Sequence, residues 1–234
     1  MICLGIDSSG KAAGVAVQCD DKLLYEVYLQ AGLTHSETLL PLVDTSLSSL
    51  RLKPCDIDLV GVNAGPGSFT GLRIGIAMAK GLCLPYNIPA VGVSTLESLA
   101  TGIDGEGSIL CALDARRSEV YYAMFARNNG VLKRITQDNA APAASLEQMC
   151  CKADKPLYIA GDGAKLCYEA FGERIGAILV NEHNRYSRAK GVCAVAMKEY
   201  AIGHAENADD LKPSYHRLSQ AQRERQEREN KIDG

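Results

Sequence analysis

The chain has 234 residues, 47% of them hydrophobic and 23% charged, with a formal net charge of −3. That length accommodates one large domain or two small lobes with a real core. The slightly acidic balance excludes a protein that grips nucleic acid by bulk charge, and no apolar run approaches the ~20 residues of a membrane span.

The run Ile2-Cys3-Leu4-Gly5-Ile6 reads as a strand stopped by the turn Asp7-Ser8-Ser9-Gly10. A charged residue this early does not fit a signal peptide, and nine cysteines without C-x-x-C spacing fit reduced thiols. A cytoplasmic protein is expected. Residues 12–19 and 23–30 continue as strands, giving an antiparallel meander of three. Thr34-His35-Ser36-Glu37 has capping-box form and starts a helix through about Leu50, with Leu39, Val43 and Leu47 on one stripe. Residues 59–64 form a buried strand. The turn Gly65-Pro66-Gly67-Ser68 follows and opens into a helix over 70–84. A strand at 90–94 and a helix from Thr95 complete the order βββαβα.

After a glycine-rich hinge at 102–107 a similar pattern begins. A shift of 107 places Asp7 on Asp114, Ile6 on Leu113, Val15 on Tyr122 and Val17 on Met124. Residues 157–166 are again an apolar strand, a glycine turn and a helix start. A closing helix runs from Arg188 to His204. The segmentation expected is a lobe over 1–102, a lobe over 103–218 and a charged tail over 219–234. Two copies imply two lobes of like topology, not a solenoid.

A glycine turn that opens a helix is a ready site for phosphate. Here, however, there is no Gly-Lys-Ser/Thr, the third glycine is at 71 rather than 70, and Pro66 lacks an N–H donor. Two readings stand for Asp7, Ser8, Ser9 and Gly10. In one, Asp7 orients a hydrated Mg²⁺ and the next three residues offer N–H donors. In the other, they form an Asx-type turn closing the first hairpin. Arg116 and Arg117 sit on the second hairpin tip, where they contact phosphate, contact a partner, or are simply solvated. The four histidines are His35, His183, His204 and His216, and no two lie within helical reach, so no transition-metal site is expected. The helix over 70–84 is apolar nearly all round, with Gly71, Gly75 and Ala79 forming a small-residue strip flanked by Leu72 and Ile76. Such a helix must be covered on more than one side, either inside a layered fold or by another chain.

Six stretches together resemble the TsaB family, also called YeaZ: IDSS at 6–9, HSETLLP at 35–41, NAGPGSFTGLRIGIAMAKGL at 63–82, GVSTLESLA at 92–100, LDARRSEVYYAMF at 113–125 and PSYHR at 213–217. The third is long and specific. The last departs from the family, which usually has leucine where this chain has His216. The resemblance implies a duplicated actin-like ATPase (ribonuclease H-like) α/β fold with two βββαβα-type lobes. It implies a non-catalytic subunit needed to form N6-threonylcarbamoyladenosine at position 37 of ANN-decoding tRNAs. The implied partners are a catalytic TsaD-like paralogue, a TsaE-like ATPase and, when alone, a second copy; tRNA is met through the complex. No cofactor is required by the chain alone, which leaves ATP or ADP at the interface with the paralogue. The catalytic paralogue carries an H-x-x-x-H metal pair, and the matching positions here are Thr95 and Leu99. A docking face from Leu39, Val43, Leu47, Gly71, Leu72, Gly75, Ile76 and Ala79 is expected. The competing expectation is an enzyme in its own right, metallopeptidase-like or ATP-dependent.

Overall fold

Ile2–Asp7 (β1), Ala13–Cys19 (β2) and Lys22–Leu29 (β3) form the antiparallel meander, in a computed structural model that describes residues 1–215. His35–Ser49 (α1) follows, its first turn closed by the Glu37 carboxylate, which accepts the Thr34 N–H at 3.1 Å. Leu59–Gly65 (β4), Phe69–Cys83 (α2) and Ala90–Ser94 (β5) then build a parallel βαβ unit beside β1. The first sheet therefore has the order β3-β2-β1-β4-β5. Thr95–Thr101 (α3) leads out of it.

Gly107–Arg116 (β6), Glu119–Asn128 (β7) and Val131–Arg134 (β8) are a second meander. Asn139–Pro142 (β9), which the sequence pattern did not announce, pairs with the start of β7, and Glu147–Cys151 (α4) follows. Leu157–Ala160 (β10), Ala164–Cys167 (α5) and the two-residue Ile178–Leu179 (β11) complete the second sheet, β11-β10-β6-β7-β8. Ala189–Ala201 (α6) closes the helical part. The expected charged tail over 219–234 lies outside the described residues, as do His216 and Arg217.

Each sheet is covered on one face by its own helices and on the other by a helix from across the chain. Leu4, Ile6, Val15 and Val62 pack with Leu39, Val43, Ile76 and Ala79 of α1 and α2. The opposite face of that sheet, with Cys3, Leu59 and Val91, is covered by Val192, Cys193 and Ala196 of α6. Conversely, Leu96 and Leu99 of α3 pack on Ile109, Cys111 and Phe125 of the second sheet. The two crossing helices touch at Gly191, where a Cβ would stand 2.2 Å from the Ser98 carbonyl oxygen. A half-buried ion cluster seals the same seam. Arg134 lies 2.9 Å from Glu97 and 2.5 Å from Asp138, Lys198 lies 3.0 Å from Glu97, and Ser94 Oγ donates to Asp138 at 2.6 Å. After α6 the chain returns along the first lobe, burying Leu211 there and donating the Ser214 N–H to the Ala64 carbonyl.

Two expectations are corrected by this packing. First, all eight residues of the expected docking face, Leu39, Val43, Leu47, Gly71, Leu72, Gly75, Ile76 and Ala79, are buried inside the first lobe. The stripe that reads as sticky is the stripe the sheet needs. Second, Leu4 and Ile6 face the α1–α2 side, and their counterparts on the α4–α5 side are Leu110 and Ala112. A shift of 106 superimposes β1 on β6 by face, while 107 holds for β2 on β7, where Val15 and Val17 match Tyr122 and Met124. Because side chains alternate along a strand, the one-residue slip puts Asp7 and Asp114 on opposite faces of their sheets.

Candidate functional site

A cavity of about 540 Å³ lies between the two halves, within the usual range for small-ligand sites. The first hairpin contributes Asp7, Ser9, Gly10 and Lys11, and the second Asp114 and Arg116. Asp162, Tyr28, Tyr121 and Tyr186 line it too, and Phe69 and Tyr215 stand at the mouth, stacked at 5.0 Å between centroids.

Of the four residues proposed for nucleotide contact, Asp7, Ser9 and Gly10 line the cavity and Ser8 does not. Asp7 accepts the Ser9 N–H at 3.0 Å and the Ser9 hydroxyl at 2.6 Å, so the Asx-type turn is the arrangement adopted. Ser8 is fully buried and turned away from the cavity, donating to the Gly71 carbonyl at 2.8 Å. The Ser68 N–H, at the start of α2, is taken by the Ser9 carbonyl at 2.7 Å. The glycines of this region explain the fit. A Cβ at Gly67 would lie 2.5 Å from Ser9 O, at Gly71 2.1 Å from Ser8 O, and at Gly75 2.3 Å from Ser8 Oγ. The small strip on α2 is thus the seat of the first hairpin. The chain's own backbone fills that space, and the Ser9 and Ser68 N–H groups are engaged within it. Gly10 alone of the four is exposed, its carbonyl accepting from His35 Nε2 at 2.9 Å.

Ser9 and Ser187, which line the cavity, are tied to a buried hydroxyl and amide network. Ser98 Oγ donates to Asn63 Oδ1 at 2.9 Å, and Asn63 Nδ2 points to Ser187 Oγ at 3.3 Å and Ser9 Oγ at 3.5 Å. Thr95 and Leu99, the positions matching the paralogue's imidazoles, are both buried, and neither side chain is a transition-metal ligand of that kind. Among the described residues no group of three or more His, Cys, Asp or Glu is arranged to hold a metal ion. The residues present do not fit the metal of the catalytic paralogue.

Asp162 carries the clearest electrostatic perturbation in the cavity. It opens to the cavity yet is ringed by protein, and that burial raises its carboxyl above the usual 3.8; the nearby Asp114 charge adds to this, while the Asp114 N–H at 2.8 Å and Lys11 pull the other way. Burial also raises the Tyr28 phenol. Sequence reasoning missed Tyr28, Tyr121 and Tyr186, which carry no motif. Asp162 was visible only as the centre of a second glycine turn. That turn packs on its own hairpin as the first does, with a Gly163 Cβ position 3.1 Å from the Asp114 nitrogen.

Sheet order 3-2-1-4-5, used twice around a shared cleft with helices exchanged between the halves, defines a duplicated α/β protein of the actin-like, ribonuclease H-like class. A ROK family protein from Streptococcus pneumoniae TIGR4 shares the fold at a TM-score of 0.50 and 10% identity, over 86% of this chain and 100% of that one. A family model described as "TsaD: tRNA N6-adenosine threonylcarbamoyltransferase" matches residues 29–224. The chain is 30% identical to the tRNA threonylcarbamoyladenosine biosynthesis protein TsaB of Bacillus subtilis (strain 168), over 95% of this chain and 96% of that protein. It is 29% identical to the TsaB protein of Escherichia coli (strain K12), over 92% and 94%. The structure of YeaZ from Pseudomonas aeruginosa superimposes with a TM-score of 0.79 at 26% identity, covering 92% of this chain and 99% of that one. The chain belongs to the TsaB (YeaZ) family. No described helix is long and apolar enough to cross a membrane.

Proposed function

We propose that this chain is a non-catalytic subunit in the formation of N6-threonylcarbamoyladenosine at position 37 of ANN-decoding tRNAs. It pairs with a TsaD-like paralogue that holds the reactive groups, and a TsaE-like ATPase joins the pair. The observation that carries this reading is the self-filled seat: Ser8 and Ser9 occupy the glycine-lined start of α2, and the Ser9 carbonyl takes the Ser68 N–H there. Any ATP or ADP used by the assembly then sits at the interface with the paralogue.

Docking is assigned to the outward faces of α1 and α2, opposite the buried stripes. Leu40 is 55% exposed there, and Leu84 and Tyr86 stand just beyond the end of α2 at 44% and 51%. Leu40→Asp is expected to abolish pairing with the paralogue and with a second copy. Its effect on stability is expected to stay within about 0.5 kcal/mol, as for other exposed positions. Size-exclusion chromatography and a thermal melt read both; an intact complex removes this face from the account.

The function itself is tested by reconstitution. Unmodified tRNA, a TsaD-like protein and a TsaE-like protein, supplied with the activated threonylcarbamoyl donor, are expected to give modified nucleoside only when this chain is added. Full modification without it contradicts the proposal.

A further inference from the structure

The β6–β7 hairpin departs from ordinary turn chemistry over three consecutive residues, where Arg51 alone does so elsewhere among the described residues. Arg116 pairs with Glu119, so Arg117 and Ser118 are the two turn residues. Arg116, Arg117 and Ser118 all have positive φ, at 67°, 56° and 60°. Two-residue hairpin turns of this hand favour Asn-Gly, because side chains other than those of Gly, Asn and Asp clash in the left-handed region. The next hairpin, between β7 and β8, has that preferred pair: Asn129 and Gly130, at 52° and 75°. No other run of three non-glycine residues among those described is left-handed. Local rules broken in this way mark places where side chains are kept for a use.

The side chains kept are arginines. Arg116 lines the rim of the interlobe cavity and its side chain is 80% exposed. Its contact with Asp114, at 3.8 Å, is a screened surface pair that leaves most of its five donors to solvent. Lys11, exposed on the first hairpin, lines the same cavity. Arg188 and Lys190 line a smaller cavity that shares Tyr186 with the first. Lys11 and Arg116 share the first cavity with Asp7, Asp114 and Asp162, and Arg188 lies 3.7 Å from Glu26 and 4.6 Å over the Tyr28 ring; cations and aromatic rings together are what meets a nucleic-acid backbone in other proteins.

We propose that the β6–β7 tip is a phosphate-contact site, with Arg116 and Arg117 holding the RNA backbone of the tRNA substrate. This rests on the role in tRNA modification proposed above and adds a direct contact made by this chain. Phosphate of a free nucleotide is the other source of the same chemistry.

The test uses anisotropy of a fluorescent, unmodified tRNA transcript over a salt series, with the isolated chain and with its mixture with a TsaD-like protein. Arg116→Ala/Arg117→Ala is expected to weaken binding and to flatten the slope of log K against log salt by about 1.5, near 0.7–0.9 per lost phosphate contact. Competing ATP is expected to leave binding unchanged at matched phosphate concentration. Displacement by ATP assigns the site to free nucleotide and overturns the RNA contact. Arg117→Asn/Ser118→Gly is expected to raise the melting temperature while weakening tRNA binding. A melting temperature that does not rise removes the strain premise and with it the proposal. An unchanged slope and affinity for the double alanine variant in both settings, or an effect confined to protein–protein association, overturns it. Reconstituted modification that depends on this chain, with no change in these binding data, refutes the tip and spares the subunit role.

Discussion

Gly71→Ala is expected to cost about 3 kcal/mol of stability or more, the upper end of the range for overpacking, despite alanine's better helix propensity. The added Cβ falls 2.1 Å from the backbone oxygen of Ser8, and backbone cannot rotate away as a side chain can. Gly75→Ala meets a different atom, the Ser8 hydroxyl at 2.3 Å. Ser8→Ala is therefore expected to rescue part of the Gly75→Ala loss and little of the Gly71→Ala loss. Chemical denaturation of the single and double variants measures this coupling. Additive effects for Ser8 and Gly75 contradict the close seat.

Arg134→Met is expected to destabilise by about 3 kcal/mol, toward the low end for breaking a buried ion pair. The Arg134, Glu97 and Asp138 side chains keep 19%, 13% and 9% exposure, so water relieves part of the loss. Phe125, with Arg134 4.8 Å above its ring, loses its cation as well. The effect depends on pH in a defined direction. Burial alone raises the Glu97 carboxyl, but hydrogen bonds from Lys198 and Arg134 outweigh it and hold the group below its ordinary 4.5. A carboxyl depressed in the folded state contributes stability that is present above the unfolded value and lost as pH falls through the folded one. The difference between wild type and Arg134→Met is thus expected to be full near pH 7 and to shrink below about pH 4.5. A difference that grows on acidification contradicts the pairing.

The first lobe was legible because its signals are local. Alternating apolar runs, the Thr34–Glu37 cap and the turn at Gly65–Ser68 each announce an element within a few residues. The second lobe was less so: β9 and β11 are four and two residues long, and α5 spans only Ala164–Cys167. Such pieces carry no period of their own and exist because β7 and β10 offer them edges. The repeat offset held between β2 and β7 and failed by one residue between β1 and β6, for a related reason. Matching Asp7 to Asp114 satisfies the eye, but only the alternation of Leu110 and Ala112 against the α4–α5 side fixes the register. The glycine strip on α2 was found correctly and assigned to the wrong neighbour, because spacing shows that a backbone comes close and not whose backbone it is. The cavity's tyrosines come from an edge strand, the second hairpin and a loop, so only the fold gathers them.

The proposed function turns on one claim, that the first hairpin fills the glycine-lined start of α2 and leaves no nucleotide site there. Titration of the isolated, metal-free chain with Mg²⁺ and ATP, followed by amide chemical shifts and phosphate release, tests it most directly. The predicted result is no saturable shift at Ser8, Ser9, Gly67 or Gly71 and no hydrolysis above the protein-free blank. Stoichiometric binding that moves those amides, or turnover by the chain alone, would contradict it.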